Sequence, residues 1–201
     1  ALRNKATPNR LRVATLPAVA QLWLSERLGR LRRMAPEISV SVFAVEQMPN
    51  LQREPFDVAI FFQDGPLEDG DIALFEDRIF PVCAPDIGRM LEKPSDLANQ
   101  ILIHDASWQE DWTIWLKAAS LPLGMATRGP VHSLFSVAVE EASQGGGVLM
   151  AHEALVERHL REGSLIAPFD RKVQLNRRLV LKVLPDLRES AAFAMLQQAL
   201  Q

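Results

Sequence analysis

Residues 11–62 set out a short apolar strand, one amphipathic helix and two more apolar strands, and this order constrains the fold more than any other feature. Residues 11–16 form a brief apolar run broken by Thr15, and Pro17 follows at once. From there to residue 34, Val19, Leu22, Trp23, Leu28 and Leu31 recur on one side with arginines on the other, which predicts a helix. Ala35-Pro36 stops it, because the residue before a proline is pushed out of the helical region. Residues 38–43 alternate apolar side chains with serine, and residues 57–62 are almost continuously apolar, as in a strand covered on both faces. Strand, helix and parallel strands with right-handed crossovers bring the loops after Leu16, Val45 and Phe62 to one carboxyl edge of a sheet.

A second series follows, again α/β. Residues 72–74, 78–83, 101–104, 148–150 and 178–184 read as strands, and residues 94–97 as a short helical turn. Ser107 to Glu110 has the form of a capping box ahead of a helix whose face carries Trp112, Trp115, Leu116 and Ala119. Helices are also predicted over 135–144, ended by Gly145 to Gly147, over 153–159 and over 189–200.

Several residues invite a chemical reading and lose it to a plainer one. His152-Glu153 lacks the histidine a zinc-protease motif needs, since position 156 is Val156, so a helix with charged ends is the reading. Ser143 has Glu141 where a nucleophile elbow needs its first glycine. Gly145 to Gly147 reads as a helix C-cap and tight turn rather than a phosphate loop. Cys83 reads as a packed thiol, and as the lone cysteine of the 201 residues it excludes an intrachain disulfide. No nucleophile–base pair and no metal-ligand spacing is left, so no enzyme, no metal and no cofactor is expected. The net charge of -3 gives no electrostatic drive toward nucleic acid or anionic membranes. No membrane span or signal peptide is visible, and the polar residues 1–10, with Pro8, read as a linker remnant.

With these elements placed, the sequence resembles the effector-binding domain of LysR-type transcriptional regulators, in the branch of glycine-cleavage activators and β-lactamase regulators. The residues that carry the resemblance are LRVATLP at 11–17, LGRL at 28–31, APEISV at 35–40, FDVAI at 56–60 and FPVCAP at 80–85. PSDL at 94–97, LIHD at 102–105, DWTIWL at 111–116, GP at 129–130, QGGGV at 144–148 and PF at 168–169 continue it in the family's order. The resemblance implies two Rossmann-like α/β subdomains flanking a cleft, like type II periplasmic binding proteins. Subdomain I would comprise residues 11–82 and 183–201, and subdomain II residues 83–182, the chain crossing near Val82-Cys83 and Lys182 to Leu184. It implies a winged helix-turn-helix outside this chain, a cytoplasmic regulator, and a homodimer or tetramer.

The resemblance also implies an effector site. Thr15, Leu16 and Pro17 sit where a strand meets a helix N-terminus at the sheet edge used by ligands. The plainer role for Thr15 is a helix cap, worth roughly 1 kcal/mol. Glu46, Phe62 and Gln63 are expected as wall residues on neighbouring loops, with His104, Ser133 and Phe135 from the second subdomain. Where relatives often have arginine after the 57–60 strand, this chain has Phe61-Phe62-Gln63, so the effector is expected to be neutral, zwitterionic or at most singly charged. Dimer pairing is expected between the 17–34 helix, with Trp23 and Leu24 adding apolar width, and the partner's 135–144 helix. A solute-binding protein of the same fold, or a small α/β enzyme, are the rival readings.

Overall fold

The computed structural model describes residues 9–201, so residues 1–8 of the expected linker lie outside the described residues. The chain divides into two compact units, residues 1–76 with 176–201, and residues 77–175.

In the first unit, β1 (Arg10–Thr15) lies between two parallel neighbours, β2 (Ser39–Ala44) and β3 (Val58–Asp64). The apolar residues that predicted β1 and β3 are its floor: Val13, Ala14, Val58, Ala59 and Ile60 are fully enclosed. The antiparallel partner of β3 is the second half of β8 (Val173–Val183), in register from Val58 with Val183 to Asp64 with Arg177.

The expected single helix is less regular than its pattern. A short α1 (Pro17–Val19) runs into a π-helical turn, Ala20–Leu24, and then α2 (Ser25–Met34). Such a turn widens the helix and shifts its facing residues. Val19, Trp23, Leu24 and Leu31 are buried as a result, while Leu22 and Leu28 are only half-buried. Trp23 packs edge-on against Phe75 and under the Arg27 guanidinium, whose carbon lies 4.1 Å from the ring centroid. Arg27 Nε also donates to Leu200 O, and Arg30 to Ala199 O, so two arginines of α2 cap the last carbonyls of the terminal helix. Trp23 and Leu24 are thus spent inside the domain, and the apolar width they were expected to offer a partner is absent.

In the second unit, β5 (Leu102–Asp105) lies between β6 (Val131–His132) and β7 (Val148–His152), parallel to both. On its other side β7 pairs antiparallel with the second half of β4 (Ile72–Cys83). The helices are α3 (Pro85–Gly88), α4 (Asp111–Ala118), α5 (Phe135–Ser143) and α6 (Glu153–Glu162), and α7 (Ala191–Leu200) closes the first unit. Trp112, Trp115, Leu116, Leu97 and Phe169 belong to the core of the second unit. Gly145 takes φ +84° after α5, and a side chain at Gly147 would put its Cβ 2.5 Å from the Ile101 carbonyl, so the glycine run is the cap and tight turn that was expected.

Three expectations change. The two strands expected over 72–83 are one twelve-residue strand, because the charges that interrupt the apolar run are paired: Glu76 with Arg178 at 2.6 Å and Asp77 with His152. The capping box does not form. Ser107 donates its N–H to Asp105 at 2.7 Å, and Glu110, at the N-cap of α4, makes no side-chain cap bond. The units divide at Glu76–Asp77 and Leu175–Asn176, within β4 and near the start of β8, rather than at the apolar ends of those strands. Apolarity marks the buried half of each strand, and the buried halves lie on opposite sides of the division: residues 79–83 in the second unit, residues 179–181 in the first.

Candidate functional site

At the carboxyl edge of the first unit, Thr15 lies opposite Ala44 on one neighbour and Ile60 on the other. Its side chain is fully buried, and its hydroxyl donates to Ile60 O at 2.6 Å. The capping role is therefore not its role. Leu16 holds the N-cap position without a side-chain bond, and Pro17 occupies the first helical turn. A threonine hydroxyl has one donor and two acceptor lone pairs, and the donor is committed to the sheet. Glu46 is exposed on the loop after β2. Gln63 turns its amide to Pro66 O at 3.3 Å.

Phe62 is half-buried, edge-on to Phe75 at 6.3 Å, with the Arg177 guanidinium carbon 5.9 Å from its ring centroid. This corrects the expectation of a strand end without a guanidinium. β3 carries none, but β8 brings Arg177 opposite Asp64 at the same edge. Sequence order hides such a pairing, because the two residues meet only through strand register.

The second unit has a corresponding edge, where the parallel β5 and β7 end in Asp105 and His152. His104 is 8% exposed, and its Nε2 lies 3.0 Å from Arg128 O, so this imidazole holds the loop before β6. Ser133 is exposed, two residues before Phe135 begins α5. Phe135 is 2% exposed and meets the half-buried Trp108 edge-on at 5.3 Å.

Beneath that aromatic pair lies a cluster whose members have no fixed spacing along the sequence. His152 is 1% exposed. Its Nδ1 is 3.0 and 3.1 Å from the two Asp77 oxygens, and its Nε2 is 3.2 Å from Asp111 Oδ2. Carboxylate oxygens only accept, so a ring nitrogen that bears a hydrogen donates it to the carboxylate it faces. Trp108 lies against the ring, tilted by 52° with centroids 4.0 Å apart, and Phe135 meets it edge-on at 5.5 Å. Asp105 is 6% exposed. Burial pushes its carboxyl above the ordinary aspartate value, against the opposing pull of the Ser107 N–H and the His152 charge.

α6 has the charged ends that were expected, Glu153 in its first turn and Arg161 in its last, and His152 stands just before it. His152 closes the apolar run Val148 to Ala151 and takes the N-cap position of α6 while facing the interior. A histidine ending an otherwise unbroken apolar strand is a signal that motif spacing does not test. Among the described residues, no group of three or more His, Cys, Asp or Glu side chains is arranged to hold a metal ion. Cys83 is buried, and desolvation raises its thiol to about 11, as a packed thiol requires.

Two α/β units, each with parallel strands ending at one edge and joined by two long strands, have the architecture of the effector-domain class. The LysR substrate-binding domain model matches residues 5–201, and the chain belongs to that family. It is 30% identical over 173 residues to the glycine cleavage system transcriptional activator of Escherichia coli K12, covering 84% of this chain and 56% of that protein. Against the HTH-type transcriptional regulator DsdC of the same organism it is 30% identical over 197 residues, 92% of this chain and 62% of that protein. The chain thus spans little more than half the length of these relatives. The effector domain of the regulator AmpR of Pseudomonas aeruginosa superposes with a TM-score of 0.74 at 26% identity, covering 96% of this chain and 95% of that one. The α/β architecture expected from the resemblance is the one these effector domains share. No helix among the described residues is long and apolar enough to cross a membrane.

Proposed function

We propose that this effector-binding domain serves a cytoplasmic LysR-type DNA-binding transcription regulator as its small-molecule sensor and dimerisation domain. DNA contact would be made by a helix-turn-helix on another part of the same protein. The observation that carries the reading is the family match along nearly the whole chain to relatives named as transcriptional activators and regulators. The two strand edges support it, since open α/β sheets bind ligands outside the carboxyl ends of their strands. The ligand residues proposed are Thr15, Leu16, Pro17, Glu46, Phe62 and Gln63 on the first unit, and His104, Ser133 and Phe135 on the second.

The effector proposed is a neutral, zwitterionic or singly charged small molecule with an apolar part. Phe62 on the first unit or Phe135 on the second offers the apolar contact. Effector binding would shift a conformational equilibrium, for which a coupling of about 1 to 3 kcal/mol suffices. For the homodimer we propose α2 against the partner's α5, whose Val137 is 46% exposed.

Thermal melts of the chain against a panel of amino acids, monocarboxylates, dicarboxylates and sugar phosphates test this reading. A ligand at one hundred times its Kd adds about 2.7 kcal/mol, a rise in Tm of roughly 5 to 10 °C for a chain of this size. A panel in which only dianions raise Tm, with an effect that 0.5 M salt abolishes, would refute the proposed ligand class.

A further inference from the structure

We propose that the buried Asp77–His152–Asp111 cluster is a coupling element. One imidazole fastens the strand on which the chain enters the second unit to the aromatic pair, Trp108 and Phe135, at that unit's carboxyl edge. Asp77 is the first residue of the unit, and it lies on β4 close to Ile79, the register partner of His152. Asp111 opens α4, Trp108 belongs to the loop before it, and Phe135 opens α5. His152 itself joins β7 to α6. Five elements of one unit therefore converge on a single ring.

The neighbouring charges leave this arrangement intact because side chains alternate along the strand. Arg78, next to Asp77, points outward and meets Glu153 at 2.7 Å, and Glu153 also takes Lys172 at 2.5 Å. Asp105 is the remaining carboxyl that faces His152. The solvent-side ion pairs and the interior cluster are separate, and only the latter is enclosed, with side-chain exposures of 1% for His152, 1% for Asp77 and 5% for Asp111.

Close-packed interiors do not deform continuously, and charged hydrogen bonds in a low dielectric hold narrow geometries. A displacement of Trp108, whose ring lies tilted against the imidazole at 4.0 Å, must move the imidazole or break that contact. The imidazole in turn cannot move without changing its hold on both oxygens of Asp77. Ligand contact at the aromatic pair would then reach the crossing strand through this ring. That use in sensing rests on the effector reading above, whereas the coupling itself does not.

Amide hydrogen exchange on the ligand-free chain tests the coupling directly. Asp77→Asn keeps the shape and removes the charge. Through His152 it is expected to speed exchange roughly tenfold at residues 105–111 and 133–138, on other elements of the unit, while residues 87–97 of the same core stay unchanged. Reciprocity requires that Trp108→Leu speed exchange at residues 76–80. Acceleration confined to the neighbourhood of residue 77, or spread evenly over the unit with residues 87–97 included, would overturn the proposal. If Asp77→Asn does not fold, Trp108→Leu, made on the half-exposed side, decides alone by exchange at residues 76–80. Because no ligand is added, a chain that binds nothing in the panel can still pass, so the two readings fail separately.

Discussion

His152→Leu replaces the ring with an apolar side chain of similar bulk and leaves Asp77 and Asp111 buried without the ring nitrogens they share as partners. The wild-type ring makes a two-oxygen contact to Asp77 at 3.0 and 3.1 Å and one contact to Asp111 at 3.2 Å. Hydrogen bonds to charged groups contribute about 1.5 to 3 kcal/mol each, so the two partners together set a loss of roughly 3 to 6 kcal/mol. Breaking a buried ion pair by removing one partner costs about 3 to 5 kcal/mol, an independent route to the same figure. Neither route needs discounting for solvent, since all three side chains are enclosed. The lost aromatic contact to Trp108 is offset in part by the apolar leucine. We expect a net loss of about 4 kcal/mol, read as a fall in Tm of roughly 8 to 16 °C and as a lower urea midpoint at neutral pH. Asp77→Asn combined with His152→Leu should cost clearly less than the sum of the two single changes, because the pair is one interaction. A single-variant loss below about 1 kcal/mol, or strict additivity in the double variant, would show that the cluster is not an interacting unit.

Further outcomes follow from the same structure. Thr15→Val should lose about 1 kcal/mol in urea unfolding, because it removes the hydroxyl's bond to the Ile60 carbonyl while keeping the buried side-chain volume; unchanged stability would remove the Thr15–Ile60 bond from the account. Asp105 has a folded-state value raised by burial, so its contribution favours the fold at low pH and is lost as pH rises through that raised value. Asp105→Asn should accordingly raise Tm at pH 7 by an increment that fades toward the ordinary aspartate value of 3.8, and an increment independent of pH would contradict this. With its thiol raised to about 11, Cys83 should resist iodoacetamide at pH 8 in the native chain and react fully in denaturant, as mass spectrometry can follow. Sedimentation should show a dimer at high micromolar concentration that Val137→Glu weakens; a 22.5 kDa species alone would remove the proposed pairing.

Some of this was legible in residue order alone. The apolar runs at 11–16 and 57–62 gave parallel strands because period and composition are local properties, and β1 and β3 occupy those places. The glycine run after α5 was readable for the same reason, since a left-handed backbone position asks for glycine wherever it falls. The π-helical turn at Ala20–Leu24 was not readable, because it arises from fitting Trp23 and Leu24 into a core made by distant strands.

The site divides in the same way. Residues that end strands, such as Thr15 and Phe62, could be placed at an edge from sequence, because strand ends follow from pattern. What those side chains do there was decided by partners far along the chain. Thr15 gives its proton to Ile60, and Phe62 lies under Arg177 from β8. The His152 cluster shows the limit most clearly. Asp77, Trp108, Asp111 and His152 come from separate elements with no fixed spacing, and each has an ordinary local role in sequence. Only the antiparallel register of β4 on β7 and the seating of α4 bring them to one ring. Sequence determined the elements and the family because both rest on short-range pattern. Tertiary structure decided which charges share an enclosed space, because electrostatic pairing depends on distance through space and burial, neither of which residue order contains.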